Sequence, residues 1–191
     1  MLNDGANLVS QALVQLAAAR GVKTVVLVRP DSGPRFDAYS PHLSALGAGL
    51  VISEAAAASH AFTKTLADFK GAVLGVNASG GAAALTVARA LAHGATLVTY
   101  GTASRRTPAL SAPLDLFTAA DLHARGFSLG AWAARTAPGA RSGEVAEAAK
   151  AVAGSAPAVR LLVAREPFAD FAAALKRATA PVCERPVVLT F

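Results

Sequence analysis

Cysteine is almost absent from this sequence. Cys183 is the only one in 191 residues. That excludes an intrachain disulfide and any zinc site built on paired thiolates. Histidine is also sparse. His42, His60, His93 and His123 stand far apart, with no i, i+4 pair. No metal site is therefore expected, and each histidine reads as a surface or helix-end residue. Charged residues make up only 16% of the chain against 53% hydrophobic ones, which excludes a disordered, solvating polymer. No apolar run reaches the length of a membrane span without a Gly, a Pro or a charge. Order and spacing give no Ser/His/Asp or Cys/His constellation and no paired carboxylates, so no catalytic residue is assigned.

The charge that is present is unbalanced. The formal net charge is +6 and the isoelectric point about 10.1. A basic surface suits either nucleic acid or acidic protein subunits. The Lys and Arg residues are scattered, and Arg105-Arg106 is the only tight pair near a turn. Nucleic acid is therefore the less favoured partner. No secretory or targeting segment is legible, because Met1-Leu2-Asn3-Asp4-Gly5 opens directly on a turn-like stretch.

What fills the chain is an alternation of short apolar runs and Ala-rich amphipathic stretches. Leu8, Ala12, Leu13, Leu16 and Ala19 fall at helical spacing, and Gly21 closes that helix. Thr24 to Val28 reads as a strand buried on both faces. The pattern repeats with a helix over 42–46 and a strand at Leu50-Val51-Ile52. A helix over 54–69 and a strand over 72–76 follow. The latter runs into Asn77-Ala78-Ser79-Gly80-Gly81. A helix over 82–92 and a strand over 95–100 complete the series. Strands alternating with helices across short Gly-containing turns predict a parallel sheet covered on both faces. This is the doubly wound, Rossmann-like α/β class. After Gly101 the rhythm changes. Thr102 to Pro113 reads as a polar loop, 114–122 as a helix, and 125–129 as a strand. Gly139 to Gly143 reads as a flexible hinge, 144–152 as a helix, 159–163 as a strand, 167–177 as a helix, and 187–190 as a closing strand. Residues 1–155 are taken as the nucleotide-type domain and 156–191 as a strand-helix-strand tail.

In residues as well as order the chain resembles the C-terminal half of the mitochondrial trans-2-enoyl-CoA reductases, which are medium-chain dehydrogenase/reductases. The likeness is carried by QALVQLAAARG (11–21), Leu27-Val28-Arg29, LSALGAGLVI (43–52), Asn77 to Gly81 and ATLVTYG (95–101). The stretch 116–132 with RGFSL, FADFAAALKRA (168–178) and the final strand add to it. The resemblance implies an NADPH-binding fold and a mitochondrial, matrix-side location. It also implies reduction of 2-enoyl thioesters by a catalytic tyrosine from an N-terminal domain that this sequence does not contain. On the same comparison the chain opens at the end of the central strand of the sheet, so an incomplete first strand is expected.

The family turn resembles N-A-A-N-S-G-V-G-Q, whereas this chain reads Asn3-Asp4-Gly5-Ala6-Asn7-Leu8-Val9-Ser10-Gln11. A pyrophosphate at a helix N-terminus needs free N–H groups and glycines that let it approach the backbone. Leu8 and Ser10 replace both glycines, and Asp4 adds a carboxylate. Two unit charges about 4 Å apart repel by roughly 4 kcal/mol at an effective dielectric of 20. The expected cleft comprises Asn7, Leu8 and Ser10 in the turn, Arg29 after the second strand to meet a 2′-phosphate, then Asn77, Gly80, Gly81 and Tyr100. Tyr100 is a packing or lining residue rather than a catalyst. Trp132 is read as a core or interface anchor. A catalytically silent accessory subunit of a larger mitochondrial assembly follows, with a respiratory complex or a mitoribosome as host. Its protein partners would be met through the tail and the open sheet, and no cofactor is expected. The alternative is the NADPH half of a split or fragmentary reductase, with NADPH bound if the cleft still works.

Overall fold

The computed structural model describes residues 1–29, 33–59, 62, 66, 71–101, 114–154, 160–179 and 186–191. The side chains of 33–35 and 38 are outside that description, as are His60, Arg105-Arg106 and Cys183.

Helix α1 (Leu8–Ala18) starts because the Asn7 side chain accepts a hydrogen bond from the Val9 N–H, and it ends before Gly21 at φ 69°. Strand β1 (Val25–Val28) is buried along its whole length, as a β-branched run covered on both faces should be. Helix α2 (Gly33–Ala45) returns the chain to β2 (Leu50–Ser53), which pairs with β1 in parallel. Ser53 caps the short α3 (Glu54–Ala57). Strand β3 (Ala72–Asn77), helix α4 (Gly81–Arg89) and strand β4 (Leu91–Thr99) form the next unit, with β3 and β4 parallel. After α5 (Asp115–Thr118), β5 (His123–Gly126) adds to the far side of β4, again parallel.

The two strand groups are joined by the first residues of the chain. Leu2 is in parallel register with Val26 on one side and Val76 on the other. Its N–H donates to the Val25 carbonyl, and its own carbonyl accepts from the Leu27 N–H. The Val76 N–H donates to the Met1 carbonyl, and the Asn3 N–H donates to the Val76 carbonyl. The sheet therefore runs β2-β1-(1–3)-β3-β4-β5, all parallel. The central strand is present as a three-residue stub. Above and below it lie two apolar clusters. Met1 joins Val25, Leu27, Phe62, Leu66, Val87 and Leu97 on one face. Leu2 joins Val14, Val26, Val28, Tyr39 and Leu43 on the other.

The C-terminal third departs from several expectations. Residues 139–143 are not a hinge. They lie inside α7 (Pro138–Ala153), where Pro138 opens the helix and Gly139 and Gly143 are carried as ordinary helical positions. The preceding α6 (Leu129–Arg135), capped by Ser128, was not foreseen, and it displaces the expected 125–129 strand to His123–Gly126. The Trp132 indole N–H donates to the Glu144 carboxylate across these two helices. The 159–163 strand lies instead at β6 (Ala164–Pro167), which pairs in parallel with β7 (Val187–Thr190). Between them a 3-10 turn (Phe168–Asp170) leads into α8 (Phe171–Ala178). Two buried glutamines of α1 hold the start of this tail. Gln15 donates to the Arg160 carbonyl and accepts from the Arg160 N–H, and Gln11 accepts from the Leu162 N–H.

Candidate nucleotide cleft

The carboxyl ends of the central stub, β1, β3 and β4 converge on one edge of the sheet, where open α/β sheets place their ligands. The turn from the stub into α1 is tightly fitted. Asp4 adopts φ 53°, a left-handed conformation uncommon outside glycine. The Gly5 N–H donates to the Leu27 carbonyl, and a Cβ on Gly5 would lie 2.6 Å from Val26 Cγ1. Only glycine leaves the turn that close to β1.

The expected cleft residues do come together here. Ser10 is buried, and its hydroxyl donates to the Asn3 carbonyl at 3.2 Å, filling the place where helix and strand touch. Leu8 is in the first turn of α1 and only partly buried. Asn7 spends its side chain on capping Val9. Arg29, just past β1, lies 3.9 Å from the Asp4 carboxylate. Burial pushes the Tyr100 phenol above its ordinary value. The Asp4 charge adds to that rise, and the neighbouring Ser10 hydroxyl opposes it. The Tyr100 hydroxyl is buried beside Ser10 with no hydrogen bond of ordinary geometry among the described residues.

Asn77, at the end of β3, is the hub of the other wall. Its Oδ1 accepts from Asn3 Nδ2 at 2.7 Å and from the Gly80 N–H at 3.0 Å, and its Nδ2 donates to Thr99 Oγ1. Gly80 and Gly81 follow with φ 78° and 57°, so the turn into α4 depends on both glycines. Asn3 had not been assigned to the site. It is fully buried, and its Oδ1 accepts from the Ala78 and Ser79 N–H groups. A buried amide in an otherwise apolar strand was the available sequence signal. Among the described residues no cluster of metal-ligating side chains occurs.

As built, the turn does not fit a pyrophosphate. A carboxylate faces the site, the Val9 N–H is already satisfied by Asn7, and residues 8 and 10 carry side chains. The sheet order and its helices define a Rossmann-like fold of the medium-chain dehydrogenase/reductase type.

Comparison with known proteins narrows that class. No protein-family model matches the chain. The mitochondrial enoyl-[acyl-carrier-protein] reductase of Dictyostelium discoideum is 35% identical over 130 residues, 68% of this chain and 36% of that protein. The Homo sapiens enzyme of the same name is 36% identical over 124 residues, 65% of this chain and 32% of that protein. Among solved structures, the complex of Etr1p with NADP and crotonyl-CoA superposes with a TM-score of 0.80 at 18% identity, covering 100% of this chain and 53% of that one. The chain belongs with the mitochondrial enoyl thioester reductases and corresponds to their nucleotide-binding half. It spans about a third of the length of the curated relatives it matches.

Proposed function

We propose that this domain is a reductase-type nucleotide fold that has lost productive cofactor binding and acts as an accessory subunit of a larger mitochondrial assembly. The observation that carries this is the Asp4 carboxylate, set 3.9 Å from Arg29 at the mouth of the phosphate turn. It places an anion where an anion should bind and engages the arginine that would meet a 2′-phosphate. Buried Ser10 and the side chain of Leu8 add to the same effect. The mitochondrial setting is taken from the names of the relatives.

The competing assignment is the NADPH half of a split 2-enoyl-thioester reductase. It draws on the gathering of Arg29, Asn77, Gly80, Gly81 and Tyr100 at one sheet edge, and on NADP in the Etr1p complex. Titration with NADPH, followed through the fluorescence of the reduced nicotinamide, separates the two. No saturation up to hundreds of micromolar supports the accessory subunit. Saturable binding at micromolar concentration refutes it.

A further inference from the structure

We propose that residues 160–162 form a strap through which the C-terminal tail sets the order of the phosphate turn, with Gln11 as the positioning residue that joins the two. A partner that draws the tail away then loosens the turn, whether or not the cleft holds a nucleotide.

The strap is seated on two polar side chains of α1, where an amphipathic helix ordinarily buries apolar ones. Gln11 and Gln15 stand one turn apart and are 0% and 8% exposed. Buried amides persist where their hydrogen bonds are met. Here the partners are backbone groups 145 and 151 residues further along the chain. Gln15 donates to the Arg160 carbonyl at 2.9 Å and accepts from the Arg160 N–H at 2.7 Å. Gln11 accepts from the Leu162 N–H at 2.6 Å. Residues 160–162 form no backbone–backbone hydrogen bond among the described residues, and the ladder of β6 and β7 starts only at Ala164. Arg160 and Leu161 are exposed, so the strap lies at the surface and is held from beneath.

The other end of the Gln11 amide reaches the cleft. Its Nε2 donates to the Ala6 carbonyl at 3.0 Å, inside the turn between Asp4 and α1. With the nitrogen fixed on Ala6, the oxygen is aimed at Leu162 and at His42 of α2, the latter at 3.3 Å. Ala6 and Leu162 also pack against one apolar cluster, that of Val14, Tyr39 and Leu43. Asn7, next to Ala6, caps α1, and its N–H donates to the Asp4 carbonyl.

Turn, helix start and strap therefore share one amide and one apolar cluster. Lifting the strap takes a donor from the Gln11 oxygen and admits water beside Ala6, and both losses fall on the turn. The strap has two positions, on α1 or off it, which is what coupling between separated sites requires. By reciprocity, whatever orders the turn also seats the strap.

Two variants release the strap from opposite sides. Arg160→Pro deletes the N–H that Gln15 accepts, at an exposed residue. Gln15→Ala deletes both bonds to Arg160 and leaves Gln11 in place. Amide exchange is followed by NMR on the whole chain with no ligand added. In both variants exchange at Leu162 should quicken by about tenfold or more, and at Gly5 and Asn7 by roughly threefold or more, while Leu97 in β4 stays within about twofold of the parent. The two changes combined should quicken Asn7 no more than the larger of them alone, since both act by releasing one element. Faster exchange at Leu162 with Gly5 and Asn7 unchanged overturns the proposal, because the strap is then attached without governing the turn. Unchanged exchange at Leu162 overturns it as well, because the glutamines then do not seat the strap. Equal quickening at Leu97 marks a general loosening of the fold and overturns it too. If one variant fails to fold, the other carries the test. NADPH plays no part in these measurements, so their outcome is independent of the cleft titration.

Discussion

Asn77→Ala removes the side chain that ties the central stub, β3 and β4 together at the cleft. Its Oδ1 accepts from Asn3 Nδ2 at 2.7 Å and from the Gly80 N–H at 3.0 Å, and its Nδ2 donates to Thr99 Oγ1 at 3.1 Å. Asn3 and Asn77 are both buried, so water does not replace the lost partner of Asn3 Nδ2. A buried donor left unsatisfied costs about 1 to 3 kcal/mol. The Gly80 N–H and the Thr99 hydroxyl are only partly buried and add less. Urea unfolding should therefore show a loss of about 2 to 4 kcal/mol. A double-mutant cycle with Asn3→Ala isolates the bond between the two amides, and a coupling of at least about 1 kcal/mol is expected. Strictly additive losses, or a variant as stable as the parent, would refute this account of the wall.

Asp4→Ala combined with Leu8→Gly and Ser10→Gly should raise NADPH affinity by about 10- to 1000-fold. The upper figure corresponds to relief of roughly 4 kcal/mol of repulsion, and an unchanged titration would show that the cleft is closed elsewhere. Gly5→Ala forces a Cβ to within 2.6 Å of Val26 Cγ1 and should cost about 1 to 3 kcal/mol by denaturant unfolding. Leu27→Ala, in a fully buried strand, should cost about 2 to 5 kcal/mol on the same assay. Gln15→Ala removes two hydrogen bonds to Arg160 and should cost about 1 to 3 kcal/mol, with faster exchange at the Arg160 amide while β1 stays protected.

The parallel core was legible because its strands are short β-branched runs bounded by glycine, and 25–28, 50–53, 72–77 and 187–190 lie close to where those runs predict. The C-terminal third was less legible for a physical reason. Gly139 and Gly143 break helix propensity locally, yet Pro138 sets the first turn and the residues from Glu144 onward carry the helix. The strand expected at 159–163 is Val- and Leu-rich, but Arg160 and Leu162 are held by glutamines of α1 and the ladder begins only at Ala164. Side-chain hydrogen bonds over such sequence distances leave no periodicity to read. In the cleft, the replaced glycines were visible in the sequence, and so was the extra carboxylate. The engagement of Asp4 with Arg29 was not, because residues 25 positions apart meet only once β1 lies beside the stub. Asn3 was overlooked because its partner Asn77 lies on a separate strand.

The junction at Leu2 also bears on how the fold responds to temperature. Among the described residues the β2-β1 pair and the β3-β4-β5 group share hydrogen bonds only through residues 1–3, and otherwise adhere through hydrocarbon such as Leu27, Leu66 and Val87. Hydrocarbon adhesion is non-directional and weakens on cooling, whereas strand ladders do not share that dependence. The join is therefore the cold-sensitive part of the molecule. Amide exchange at Leu2, Val25 and Val76 should quicken relative to that at Leu97 as the temperature is lowered towards freezing, making this sheet two cooperative bodies in the cold and one in the warm.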